Sequence, residues 1–254
     1  MRAIGLLIGF WKRQEIKRLL MVHSLFKEHR IVSNFSNMAL GFLHKEIPKG
    51  DGPVSPLPHG TPMTMPVSYA PWTDEHTVTS MLVLKNGQIV HEAYYHGTSA
   101  NDLRISWSIA KSYLSALFGI LVHEGAIHSL KEPVTKYVPS LAGGAYVTAT
   151  ILDVLQMSSG ITFDEDYLAY HSDINKMGRI LALGGTMDGF AEGLRDTFTA
   201  PGETWQYTSI DTHVLGMVLR SATGRSIVDL MSEKVIVPLG LERTPIYLTD
   251  GVGI

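Results

Sequence analysis

The stretch SMLVLKNGQIVHEAYY, residues 80–95, constrains the fold more than any other. Two runs rich in β-branched and aromatic residues flank Asn86-Gly87. An Asn-Gly pair suits a type I′ turn, because both central residues of that turn need positive φ. A hairpin of two strands is rarely stable alone and needs further strands or a helical layer against it. The chain beyond residue 104 has a helical pattern. Leu114, Leu117, Phe118 and Leu121 recur at helical spacing up to Gly125. TATILDVLQMSSG predicts a helix with Thr150 and Asp153 as a capping box and Gly160 as its stop. DTHVLGMVLRSATG predicts another, with Asp211 as N-cap and Gly224 as C-cap. SIVDLMSEKVIVPLG predicts a fourth, opened by Ser226 and Asp229. Nothing after residue 95 reads as a strand, so the sheet looks unfinished. The chain reads as truncated after LTDGVGI.

Composition limits the classes of partner. A chain of 254 residues with 45% hydrophobic and 18% charged residues is ordinary for a globular protein, long enough for a sizeable core. A net charge of −3 lacks the basic footprint of a nucleic-acid binder. The absence of cysteine excludes disulfides, thiolate zinc ligands and a thiol nucleophile. Residues 1 to about 44 read as helical. Within them AIGLLIGFW is open to three readings: a helix docked on the protein, a membrane-surface helix, or a signal-peptide core. Residues 48–71 hold seven of the twelve prolines and read as an irregular connection.

The chemistry starts at Ser108 and Lys111. A serine hydroxyl is a weak nucleophile until a base takes its proton, and a lysine can be that base if burial lowers its pKa. At i and i+3 the two side chains share a helical face. A serine at a helix start also sets its N–H near the positive end of the dipole, where an oxyanion is stabilised. Spacing alone leaves the alternative open: an N-cap serine beside a surface lysine. The same spacing recurs at Ser24 and Lys27, among charged residues, whereas Ser108 opens an apolar helix that would half-bury Lys111. Further on, PGETWQYTSIDTHVLG places Tyr207 and Ser209 in a loop before a helix. A tyrosine hydroxyl there can relay a proton.

SWSIAKSYLSALFG, LDVLQMSSGITFDEDY, PGETWQYTSIDTHVLG and VIVPLGLERT together resemble the serine β-lactamase-like superfamily, in order and in spacing. That group includes class C β-lactamases, penicillin-binding DD-peptidases, related esterases and 6-aminohexanoate-dimer hydrolases. The resemblance runs from about residue 78 to the end, and SSGITFDEDY most resembles the aminohexanoate-dimer hydrolase branch. It implies Ser108 as nucleophile, Lys111 as base and Tyr207 as second acid/base. Tyr167 and Ser209 are implied to bind substrate, with Trp107 and Trp205 either lining the pocket or simply packed. Ser209 stands where the family usually has asparagine. The family's third motif, Lys-Thr-Gly or His-x-Gly on a further strand, is not among these residues.

The expected fold is α/β (α+β) and β-lactamase/transpeptidase-like: an antiparallel sheet flanked by helices plus a mostly helical subdomain, with C-terminal strands missing. One incomplete hydrolase domain is expected over 1–254. Residues 1–105 would hold the N-terminal helix, Pro-rich connection and hairpin, 106–224 the helical catalytic part, and 225–254 a return segment. The expected reaction cleaves a small amide or ester through an acyl-enzyme, without metal or organic cofactor. A non-catalytic, binding-only member of the group is the alternative. No nucleic-acid or membrane partner is expected, and the compartment reads as cytoplasmic with the periplasm as alternative. His123–His128 and His91–His96 miss the spacing of a helical zinc pair by one residue. FDEDY reads either as a solvated loop or as the carrier of Tyr167.

Overall fold

The computed structural model describes residues 12–254, so the apolar run before Lys12 lies outside the described residues. The first helices among the described residues are α1 (Arg13–Ser24) and α2 (Glu28–Ser36), within the region read as helical. After a short helical turn comes β1 (His44–Glu46), then the proline-rich segment and α3 (Tyr69–Glu75). Next is the hairpin, β2 (Ser80–Lys85) and β3 (Gln88–Tyr94). Its turn has the conformation the Asn-Gly pair calls for, with φ of 52° at Asn86 and 73° at Gly87.

The proline-rich segment is better ordered than an irregular connection. It lies along β3: Ile89 N–H donates to the Pro58 carbonyl, while Gly60 and Met63 donate to the carbonyls of Ile89 and Val90. Prolines lack donors, and here the non-proline residues between them make the bonds. Among the described residues no strand covers the outer edge of β2, so the hairpin stands as a two-stranded sheet.

The helical half is built around one buried helix. The helices here are α4 (Ile109–His123), α5 (Ile151–Leu155), α6 (Asp173–Leu183), α7 (Met187–Gly193), α8 (Ser209–Thr223) and α9 (Ile227–Met231). Helix α8 packs against α4, α5 and α7. Ile210, Val214 and Val218 are wholly buried in it, and Leu215, Met217 and Leu219 are also in the core. A helix apolar nearly all round is a central one. Helix α4 contributes the predicted face of Leu114, Leu117, Phe118 and Leu121.

Several expectations change here. Asp211 is not the N-cap of α8; Thr208 is, and Asp211 sits buried in the first turn. Burial lets a short carboxylate be satisfied by distant side chains instead of by the helix end. The predicted capping box of Thr150 and Asp153 is present, but α5 stops at Leu155, well before Gly160. Met157 takes a φ of 52° and turns the chain out. Gly160 is needed for a different reason: a Cβ there would lie 2.4 Å from the Thr199 carbonyl oxygen. The fourth predicted helix does run from Ile227 to Leu239 and ends at Gly240, but with a π-helical turn over Ser232–Ile236 inside it. A strand also exists after residue 95. β4 (Ile246–Leu248) pairs antiparallel with β1, setting Lys45 opposite Tyr247. Three residues pairing across two hundred leave no local signature.

Candidate active site

Ser108 is the N-cap residue of α4, yet its side chain makes no capping bond. Its φ of −69° and ψ of −5° are helical, not the extended backbone that aims a capping hydroxyl at the N2 or N3 amide. The hydroxyl is instead met by two donors. Lys111 Nζ donates to Ser108 Oγ over 2.9 Å and the Tyr207 hydroxyl donates to it over 2.6 Å. Lys111 Nζ also stands 5.5 Å from the centre of the Tyr207 ring. The alternative of a capping serine beside an unrelated lysine does not describe this geometry. The other Ser-x-x-Lys pair does not form: Ser24 is buried and its hydroxyl donates to the Met21 carbonyl.

Two hydrogen bonds into one hydroxyl oxygen favour its charged form, and so ease removal of its proton. Ser108 is exposed, Lys111 and Tyr207 half-buried, so a substrate carbonyl can reach the oxygen from solvent.

The residue before Ser108 carries the strain of this turn. Trp107 has a φ of 45°, a left-handed conformation that a bulky side chain rarely adopts. It is held there by stacking on Phe26, at 5.6 Å between ring centres, and by an edge contact with Phe35 at 5.2 Å. The N-terminal helices thus hold the turn that presents Ser108. Arg104 adds to this by donating to the Val32 carbonyl and to Ser36 Oγ. Trp107 is a packed aromatic that also lines a cavity of about 300 Å³ with Lys111, Leu114 and Gly216. Trp205 is 68% exposed, standing in solvent.

Tyr207 is positioned by its neighbours in sequence. Gln206 donates through its backbone N–H to the Met157 carbonyl and through its side chain to the Phe163 carbonyl, both over 2.9 Å. Ser209 begins α8, and its backbone N–H donates to Glu165 Oε1 over 2.5 Å. Tyr167 comes to the same place: its hydroxyl is raised above its ordinary pKa by desolvation first, then by the charges of Glu165 and Tyr207. FDEDY is thus a largely exposed loop, Tyr167 being 54% exposed, that brings Tyr167 near Tyr207 and supplies Glu165, which sequence reasoning alone does not single out. The signal available is an acid two residues upstream of a tyrosine, too common to stand out.

Asp211 completes the surroundings. It accepts hydrogen bonds from the Tyr146 hydroxyl over 2.7 Å and from Ser159 Oγ over 3.0 Å. Burial pushes its carboxyl up to about 7, with the Glu165 charge adding to the rise and those two hydrogen bonds opposing it. Among the described residues no cluster of His, Cys, Asp and Glu is arranged to hold a metal ion.

A fold of helices around α8, with a serine, lysine and tyrosine meeting at one oxygen, defines a class, and the chain belongs to it. Residues 74–251 match the Beta-lactamase family. The chain is similar to a 6-aminohexanoate-dimer hydrolase of Paenarthrobacter ureafaciens, 30% identical over 185 residues, covering 71% of this chain and 47% of that protein. It therefore spans about half the length of that relative. A structure from Bacillus anthracis described as a candidate 6-aminohexanoate-dimer hydrolase superposes over 91% of this chain and 64% of its own. Its TM-score is 0.76 at 19% identity. An octameric penicillin-binding protein homologue from Pyrococcus abyssi covers 69% of this chain and 42% of its own, with a TM-score of 0.53 and 24% identity. These likenesses agree with the expected fold class. No helix among the described residues is long and apolar enough to cross a membrane.

Proposed function

We propose that this protein is a serine hydrolase that cleaves a small amide or ester through an acyl-enzyme. One observation carries the reading. The Ser108 hydroxyl, free of any capping bond, is met by Lys111 and by Tyr207, a residue 99 positions away. A chance helical pair would not recruit the second group.

In this reading Ser108 Oγ attacks the carbonyl carbon and its proton passes to the lone pair of Lys111, acting as the neutral amine, directly or by way of Tyr207. The carbonyl π electrons move to oxygen. The resulting oxyanion faces the Ser108 N–H at the start of α4, the next amides, of Ile109, Ala110 and Lys111, being already bonded to the carbonyls of Ser106, Trp107 and Ser108. On collapse the bond to the leaving nitrogen or oxygen breaks, and Lys111 or Tyr207 returns the proton to it. Water then repeats the sequence on the acyl-enzyme and frees Ser108. Tyr167 and Ser209 stand beside Tyr207 to bind the substrate amide. The likeness to an amide hydrolase favours linear amides over cyclic β-lactams.

The test is intact-mass analysis after incubation with a fluorophosphonate, with peptide mapping. A single adduct on Ser108, lost in Ser108→Ala, is expected. A folded sample that takes no adduct would instead assign this chain to binding without turnover.

A further inference from the structure

Helix α8 begins without a side-chain cap of its own, since Thr208 makes none. A side chain from a distant loop takes that role: Glu165 Oε1 accepts the Ser209 N–H. This matters because Ser209 lies two residues from Tyr207, so whatever fixes the first turn of α8 fixes the tyrosine hydroxyl. Within the same turn, Asp211 ties the helix to Tyr146 and Ser159. Each of these two carboxylates has one bonded oxygen and one buried oxygen, Glu165 Oε2 and Asp211 Oδ2, with no partner.

We propose that Glu165 is a positioning residue for Tyr207, and that Asp211, buried in the same helical turn, carries a proton while it does so. The proposal rests on the serine-hydrolase reading for what Tyr207 does, but not for how Tyr207 is held. A wholly buried carboxylate with an orphaned oxygen, and a second carboxylate's charge acting on it, is costly. A proton on it removes a charge and turns that carboxyl into a donor. Asp211 is the holder of that proton, the deeper of the two at 0% exposure and the one raised to about 7. The groups facing Asp211 are Tyr146, Ser159 and Glu165, and Tyr167 with the Ser209 N–H stands beside Glu165. None of these is a cation, so the Tyr146 and Ser159 hydrogen bonds relieve the Asp211 charge only in part.

The raised pKa sets the sign. Relative to an ordinary Asp at 3.8, the neutral form contributes stability that is fully present below that value and lost as pH rises through about 7. Above it Asp211 and Glu165 repel and the start of α8 loosens.

Three variants of the full chain test this: Glu165→Gln, Asp211→Asn and the control Ser108→Ala. The readouts are the fluorophosphonate labelling rate of Ser108 from pH 5.5 to 8.5, thermal melting, and amide hydrogen exchange over residues 206–212. Misplacing a catalytic group by about 1 Å can cost about 100-fold. Glu165→Gln is expected to slow labelling toward that extent, with melting little changed and 206–212 exchanging faster. The ratio of wild-type to Asp211→Asn labelling is expected to fall as pH rises through about 7. Wild-type labelling and exchange by Glu165→Gln would overturn the proposal. So would slower labelling with unchanged exchange, which would make Glu165 act on the chemistry directly. A ratio flat in pH would overturn the proton on Asp211. If the wild-type chain takes no label, the acyl-transfer reading fails, and exchange over 206–212 alone decides whether Glu165 positions Tyr207.

Discussion

Helix α8 and the β2–β3 hairpin are both rich in apolar side chains, and they differ in what those side chains touch. In α8 every residue from Ser209 to Leu219 is buried except Thr212 and His213. In the hairpin only Val90 is buried, while Leu82 and Leu84 are each about half exposed, at 49% and 48%. The groups proposed to react sit on or beside the first region. Ser108 opens α4, Tyr207 enters α8, and these two helices pack on each other. A site needs its side chains held to fractions of an ångström, and closely packed helices do that where a two-stranded ribbon cannot. The hairpin is tied to its own neighbours instead, through Tyr69, whose hydroxyl hydrogen-bonds His91 at 2.8 Å and Tyr95 at 2.9 Å.

The comparison breaks first in the core. Phe118 lies on α4 with 1% of its surface exposed, inside the cluster that includes Ile210 and Val214. Phe118→Ala is expected to cost about 3–5 kcal/mol, from lost transfer energy and the cavity left behind. The same change is expected to abolish labelling of Ser108 near the melting temperature. Urea unfolding measures the first effect. A cost below about 1 kcal/mol would mean that this core does not set the stability of the chain.

How much of this was legible in the sequence divides along the same line. The hairpin turn, the caps at Thr150 and Ser226, and the apolar face of α4 are local patterns, and each is in the structure. Spacing alone leaves Ser108 and Lys111 open, and the resemblance of four linked segments is what sets them beside Tyr207; the structure brings the three side chains together. What escaped depends on distance in sequence. Asp211 looks like a cap because acids often open helices, and only Tyr146, 65 residues away, makes it a buried acceptor. Glu165 was hidden for the same reason, its partner lying 44 residues on. The β1–β4 pair offers three residues per strand, too few for alternation to show.

A smaller effect sharpens the comparison on the surface of α8. Asp188 on α7 accepts from His213 over 2.7 Å and from Arg220 over 2.7 and 2.9 Å. Its carboxyl is held at about 2 instead of 3.8, chiefly by the His213 hydrogen bond, with Arg220 adding to it against the cost of burial. A depressed carboxyl adds stability that is present above 3.8 and lost as pH falls through about 2. Asp188→Asn is therefore expected to destabilise at pH 6 by on the order of 1 kcal/mol, since water screens part of the interaction. The gap should close toward pH 2. Urea melts of both proteins across that range check it, and a gap independent of pH would show that the charge is not what holds α7 to α8.

The smallest effect is expected on the hairpin. Leu82 faces Glu92 across the strands and contributes little to the core. Leu82→Lys keeps the strand, places a cation opposite Glu92, and removes an apolar side chain from a face that nothing among the described residues covers. Stability should move by no more than about 0.5 kcal/mol, and Ser108 should label at the wild-type rate. Exposed apolar strands also pair between molecules, so the variant should stay in solution at higher protein concentration. Light scattering against concentration, beside a urea melt, separates the two effects. A loss as large as that of Phe118→Ala would mean that the hairpin packs as tightly as α8, and that the division between a supporting helical core and a lightly held sheet is wrong.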